Sequence, residues 1–173
     1  MKIEDNFLDQ KEFDKLQIFI MGEQLDWHYQ KTIDTIDVVD KFQFTHMFYF
    51  NHAPTSPFLE IITPIINKIE SISLGKIKAN LLTRTPNIIE NTFHIDGADL
   101  PEEKLKQLTT SIFYMNTNNG YTEFEDGTKV ESVANRLVTF PTNTKHRGTS
   151  CTDERTRVVI NFNYLIKNEI VST

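Results

Sequence analysis

The sequence predicts a mostly β chain with flanking helices, an α+β architecture in which an antiparallel sandwich or jelly roll carries helices on one sheet. Three observations lead there. Apolar residues first recur at helical spacing in two stretches, then switch to a period of two after Gly75 and keep it almost to the end. Turn signals at Asn118-Asn119-Gly120 and Asp126-Gly127 punctuate the second part. The 173 residues are 39% hydrophobic, enough to build one core, and contain no linker, repeat or low-complexity segment. A single domain over 1–173 follows, with a helical and extended support region over 1–75 and a β core over 76–165.

The first helix is expected over Phe7 to Gly22. Asp9 and Glu12 stand at capping-box spacing, Phe13, Leu16, Ile20 and Met21 recur on one face beside Phe19, and Gly22 is a fitting C-cap. Leu25 to Asn51 is rich in aromatic and β-branched residues (Trp27, Tyr29, Ile33, Ile36, Val38, Phe42, Phe44, Phe48), which favours strands or irregular extended chain. His28, His46 and His52 lie in or just after it without a second ligand type at metal spacing, so structural or surface roles are expected for them. Ser56-Pro57 reads as an N-cap followed by Pro at N1. The set Phe58, Ile61, Ile62, Ile65, Ile66 and Ile69 makes one helix face running to about Ser73, kinked or split at Pro64 and ended by Gly75.

Strands are then expected over Lys76–Thr85, around Thr92–Asp96, and over Thr110–Asn116, Tyr121–Glu125, Thr128–Ser132, Arg136–Phe140 and Thr156–Leu165. Pro101-Glu102-Glu103-Lys104 reads as a solvated loop. In the last strand Val158, Ile160, Phe162 and Tyr164 share one face, opposite Arg157, Val159, Asn161 and Asn163. If helices cover the apolar face, Arg157, Asn161 and Tyr114 point inward with the polar residues of Thr92–Asp96. An inward Arg is costly unless an anion neutralises it. A plain sandwich with Arg157 in solvent is the competing arrangement.

Bulk properties exclude some functions. A formal net charge of −6 disfavours a partner held mainly through phosphates, so nucleic acid is not expected. The single Cys151 allows no intrachain disulfide and fits a reducing compartment, as a structural or surface thiol. No apolar run reaches the roughly 20 residues of a membrane span, and Met1-Lys2-Ile3-Glu4-Asp5 does not open a signal peptide. A soluble cytoplasmic protein is expected. Neither a Gly-rich phosphate loop, a nucleophile elbow nor an HExxH helix is present.

His94 and Asp96 are two positions apart in an extended run, so their side chains aim at one point. An imidazole and a carboxylate suit a borderline metal but need a third ligand. His146, following the Phe140–Lys145 turn and preceding Arg147-Gly148, is the best candidate. Two His and one carboxylate form a facial triad that leaves three octahedral positions open, which leans to Fe(II) over zinc. His-x-Asp alone is a weak pattern, and an accidental match on a jelly-roll binding module is the non-enzymatic alternative.

His94-x-Asp96, His146 fifty positions later and Arg157 eleven beyond that resemble the iron- and 2-oxoglutarate-dependent dioxygenases. The similarity is greatest to the prolyl 4-hydroxylase-like branch and its small bacterial and phage members. It extends through Ser111–Asn116, Asn119–Phe124 and Asn135–Pro141, in that branch's order, over about 76–165. The resemblance implies a double-stranded β-helix, with His94, Asp96 and His146 on Fe(II). It implies that Arg157 and Tyr114 contact the distal carboxylate of 2-oxoglutarate, with Asn161 as a further polar contact and Arg155 as the competing anchor. Many members carry a Tyr about ten residues before the first ligand. Here Arg84 or Thr85 falls at that offset and would replace its contact, unless Arg84 meets an anionic part of the substrate. The implied reaction consumes O₂ and 2-oxoglutarate, with ascorbate as a reductant, releases succinate and CO₂, and hydroxylates an unactivated C–H bond. Because Asp96 is present, hydroxylation is expected in place of halogenation. Peptidyl proline is the substrate by analogy, with a small molecule or nucleobase as the alternative.

Overall fold

The computed structural model describes residues 1–33, 41–98 and 100–166. Ile36 and Val38 lie outside the described residues. Helix α1 spans Gln10–Ile20. The Asp9 carboxylate accepts from the Lys11 amide at 3.0 Å, satisfying one of the unpaired donors of the first turn. The helix ends at Met21, where a side chain at position 22 would bring a Cβ to 2.5 Å from the Ile18 carbonyl oxygen, so only glycine fits. Phe13, Leu16 and Ile20 are buried, each side chain contributing about 1.5–3 kcal/mol relative to exposure.

The expected second helix is shorter than its apolar pattern. A 3-10 turn over Leu59–Ile62 leads into α2, Thr63–Lys68, with Pro64 in the first turn, where its missing N–H costs nothing. Pro64 thus divides the run as expected. The helix does not continue to Ser73, however, and Gly75 does not end it. Glu70 turns left-handed (φ 51) and strand β5 already begins at Ser71. Gly75 lies inside β5 next to a register shift, where a Cβ would come within 3.2 Å of the Asn163 carbonyl oxygen.

In chain order the strands are β1 (Lys2–Glu4), β2 (His28–Gln30), β3 (Gln43–Phe50), β4 (Ala53–Pro54), β5 (Ser71–Thr83), β6 (Leu108–Tyr114), β7 (Tyr121–Phe124), β8 (Lys129–Glu131), β9 (Arg136–Pro141), β10 (His146–Gly148) and β11 (Thr156–Ile166). A short helix α3, Glu102–Leu105, replaces the loop expected there, with Leu105 buried beneath it. The large antiparallel sheet runs β1-β9-β6-β11-β5-β3-β2 with β4 hairpinned onto β3, and the small one runs β10-β7-β8. Four strands from before residue 75 therefore belong to the large sheet. Thr92–Asp96 is not a full strand. The chain meets β10 and the residue that follows it through isolated antiparallel bridges, His94 with His146 and Glu90 with Thr149.

Two apolar layers hold this arrangement. One joins α1 and α2 to the outer face of the large sheet through Phe113, Val158, Ile160 and Phe162. Phe7 and Phe13 both meet the Phe113 ring edge-on, at 6.1 and 6.0 Å. The other fills the space between the sheets with Ile112, Tyr114, Phe124, Val138, Phe140 and Val159. With both faces of β11 covered, the inward set Arg157, Val159, Asn161 and Asn163 lies between the sheets, and the solvent-facing alternative for Arg157 is excluded.

Candidate metal centre and anion pocket

The bridge between His94 and His146 is a reciprocal pair of backbone hydrogen bonds, 2.9 and 3.0 Å, that sets the two residues side by side. Their ring centroids are 4.7 Å apart. In each, Nδ1–H donates to the carbonyl two residues earlier: His94 to Thr92 at 3.2 Å and His146 to Thr144 at 3.1 Å. That bond selects the tautomer whose Nε2 lone pair is free to bind a cation. Asp96 follows two positions after His94, its Oδ1 3.7 Å from the His94 Nε2. The ligand atoms of all three residues lie within 4.8 Å of one another, converging on one point.

Asp96 is held from behind by the large sheet. Its Oδ2 accepts from Asn163 Nδ2 at 3.0 Å, and the same amide reaches Thr110 Oγ1 at 3.0 Å. One carboxylate oxygen is thereby fixed and the other left for a cation. Burial raises the Asp96 pKa, but the fields of His146 and Lys76, the Asn163 hydrogen bond and His94 outweigh it and hold the carboxyl below its ordinary value. Burial lowers the His146 pKa, opposed by Asp96 and reinforced by His94. Both shifts keep the residues in their ligating forms at neutral pH.

A cavity of about 80 Å³ between the sheets connects this triad to Arg157. Arg157 is only 2% exposed. Its Nε donates to Ser132 Oγ at 2.8 Å and its Nη2 to Thr122 Oγ1 at 3.2 Å. Tyr114 lies under the guanidinium, 5.7 Å from ring centroid to Cζ, and donates its hydroxyl to the same Thr122 oxygen at 2.8 Å. Every one of these partners is neutral, and among the described residues no carboxylate pairs with Arg157. Two glycines shape its slot. A Cβ on Gly120 would stand 2.6 Å from Arg157 Cδ, and one on Gly148 3.4 Å from its Nη1. Asn118–Gly120 is accordingly not a hairpin turn, since β6 and β7 belong to different sheets; it carries the chain across from one to the other past Arg157. Asp126-Gly127 does close the β7–β8 hairpin, with Gly127 at φ 85.

The structure thus brings His94, Asp96, His146, Arg157 and Asn161 to one cavity, with Tyr114 packed behind Arg157. It does not bring Arg84 there. Arg84 is exposed beyond the end of β5, and Thr85 is engaged with Asn87 O at 2.7 Å and Ser150 Oγ at 2.6 Å. Counting ten residues back from His94 fails because 84–93 is an excursion outside the strand. The inward residues of β5 are Leu82, Asn80 and Lys78, opposite Arg157, Val159 and Asn161. Arg155 is exposed, and of the two arginines only Arg157 lines the cavity.

Asn91, Lys78, Thr122 and Ser132 escaped sequence reading. Asn91 is 5% exposed and lines the cavity, and its Oδ1, like that of Asn161, is buried without a hydrogen-bond partner. The alternation Lys76-Ile77-Lys78-Ala79-Asn80 did carry a signal, since it puts polar residues on one face of a strand that helices cover on the other. Elsewhere, Cys151 is buried, its thiol donating to Glu154 O at 3.4 Å, and burial raises its pKa. Trp27 packs against the helical core layer. Asp26, His28 and His46 also converge within 4.8 Å, a grouping that histidine spacing alone did not reveal. Both His46 nitrogens are taken, by Asp26 O and Ser56 Oγ at 2.8 Å each, so His46 serves structure.

No protein-family model matches the sequence, and no curated protein matches it. Solved structures do match its fold. A prolyl hydroxylase from Trichoplax adhaerens, in complex with a hypoxia inducible factor oxygen degradation domain peptide fragment, superposes with a TM-score of 0.67 at 13% identity, covering 95% of this chain and 82% of that one. The non-heme alpha ketoglutarate dependent epimerase SnoN from nogalamycin biosynthesis gives 0.68 at 12% identity, covering 95% and 76%. The viral collagen prolyl hydroxylase from Paramecium Bursaria Chlorella virus-1 gives 0.56 at 16% identity, covering 96% and 90%. This chain has the jelly-roll fold that these oxygenases share.

Proposed function

We propose that this protein is an Fe(II)- and 2-oxoglutarate-dependent oxygenase that hydroxylates an unactivated C–H bond. The observation that carries the reading is Arg157, a buried guanidinium with only neutral partners among the described residues, facing a cavity whose other end is lined by His94, Asp96 and His146. A buried cation without a counter-ion is costly, and a dianionic cosubstrate supplies one. Two imidazoles and one carboxylate oxygen make a donor set suited to Fe(II).

His94, Asp96 and His146 would hold the metal on one face. When bound, the metal and 2-oxoglutarate supply O₂ activation coupled to formation of succinate and CO₂. Arg157 would hold the distal carboxylate with its planar fork, oriented by Ser132 and Thr122. Tyr114, whose hydroxyl burial keeps in the neutral form, packs beneath Arg157 and fixes Thr122 by its hydrogen bond. Asn91 and Asn161 offer unpaired amide oxygens to waters or ligand donors along the cavity. The apolar residues between the sheets keep bulk water from the reacting end.

Two of the similar structures are prolyl hydroxylases, so peptidyl proline is the first substrate to test, and this is an argument by fold analogy. The test is succinate release from 2-oxoglutarate by the protein with Fe(II), O₂ and ascorbate, alongside calorimetric 2-oxoglutarate binding to the Zn(II)-loaded form. Succinate formation that disappears in His94→Ala and Asp96→Ala supports the reading. A wild type that neither binds 2-oxoglutarate nor forms succinate overturns it.

A further inference from the structure

Resting on the oxygenase reading, we propose that Lys78 receives an anionic group, a carboxylate or phosphate, carried by the primary substrate. Lys78 lies on the inward face of β5, is half-buried, and lines the same cavity as the triad and Arg157. Among the described residues it forms no ion pair, and Asn161, its partner across the β5–β11 ladder, has a buried carbonyl oxygen with no hydrogen bond. Burial, and then the like charge of Lys76, lower its pKa, while Asp96 raises it. Among the described residues only the field of Asp96 offsets this ammonium, and a metal would claim that charge.

Position separates Lys78 from the cosubstrate's anchor. Leu82 stands opposite Arg157 and Lys78 opposite Asn161. Their offset of four positions amounts to about 13 Å along a strand, towards the end where Asn163 holds Asp96. The charges of a divalent metal, Asp96, Arg157 and a dianionic cosubstrate already cancel. Lys78 then adds one positive charge in a partly desolvated cavity, with a second lysine beside it, and a substrate anion is the partner that offsets it. A prolyl peptide meets this requirement only with an acidic or phosphorylated group close to the reacting residue.

The test uses the full chain with its lysines reductively ¹³C-methylated, which keeps their charge, loaded with Zn(II) and saturating 2-oxoglutarate. Inorganic phosphate is the probe. The Lys78 resonance, identified by its absence in Lys78→Met, is expected to move saturably with phosphate. By calorimetry Lys78→Met should weaken phosphate by about tenfold or more, as for one charge-assisted hydrogen bond. 2-Oxoglutarate affinity should change by less than about twofold on the same scale. Lys78→Gln repeats the measurement if the Met variant fails to fold. A resonance that ignores phosphate overturns the proposal. So does one that has already moved with 2-oxoglutarate alone in a protein whose Lys78→Met variant loses cosubstrate affinity, because Lys78 then belongs to the cosubstrate. A wild type that binds no 2-oxoglutarate instead defeats the oxygenase reading, and phosphate titration of the Zn(II)-only protein still reports on Lys78.

Discussion

Arg157 keeps its charge where water is excluded, against Ser132, Thr122 and the Tyr114 ring. Removing such a charge relieves a desolvation cost of several kcal/mol, whereas removing half of a compensated pair leaves an orphan. The two cases predict opposite outcomes. Arg157→Met is expected to leave the melting temperature of the ligand-free protein unchanged or raised, while 2-oxoglutarate binding, measured by calorimetry on the Zn(II) form, weakens by about 2–5 kcal/mol. An unchanged affinity would show that Arg157 does not hold the cosubstrate. Asp96 and His146 set a pH dependence of one sign. Asp96 has a lowered folded pKa, so its stabilisation is present above its unfolded value of 3.8 and lost as pH falls through the folded one. For His146, lowered from 6.5, the unfolded chain takes up the proton first, so stability declines as pH falls below 6.5. Urea unfolding of the metal-free protein from about pH 7.5 to about pH 5.5 is expected to show stability falling with acid, with a shallower slope in His146→Gln.

The elements place these residues through close approaches that apolar periodicity does not record. Gly120→Ala would force a Cβ to 2.6 Å from Arg157 Cδ and 2.7 Å from the Ser150 carbonyl oxygen. Overpacking of this kind costs about 1–3 kcal/mol. A lowered melting temperature together with a raised KM for 2-oxoglutarate is expected, and a KM that stays put would show that the guanidinium can shift without loss. The alternation of β11 was readable because helices and a second sheet bury its two faces, so Val158 and Arg157 each obey a strict period. Helix α1 was readable for the same reason, and its cap at Asp9 is where the residue pattern puts it. Strand β1 was not readable, because three residues that pair only with β9 carry no period. The strand start at Ser71 was hidden by isoleucines that suit helix and strand alike. The triad was legible because i and i+2 in extended chain share a face, while Asn91 was not, since only the bridge from Glu90 to Thr149 turns its side chain to the cavity.

Across the molecule, the site draws on both sheets: Arg157 and Asn163 belong to the large one, His146 and Thr122 to the small one, and the His94 segment leans on β10. Covalent connection aside, the sheets meet near the cavity through the layer around Phe124, Phe140 and Val159. A metal joined to His146 and Asp96, and an anion joined to Arg157, would therefore tie the sheets together only in the folded state and stabilise it by mass action. At about a hundred times the dissociation constant a ligand adds about 2.7 kcal/mol. Thermal unfolding is expected to shift upward with Zn(II), and further when 2-oxoglutarate is added, with a chelator reversing both steps. The variants separate the steps. Asp96→Ala should lose the response to metal and with it the response to cosubstrate, whereas Arg157→Met should keep the first and lose the second. Equal shifts in wild type and Asp96→Ala would place the metal away from the triad.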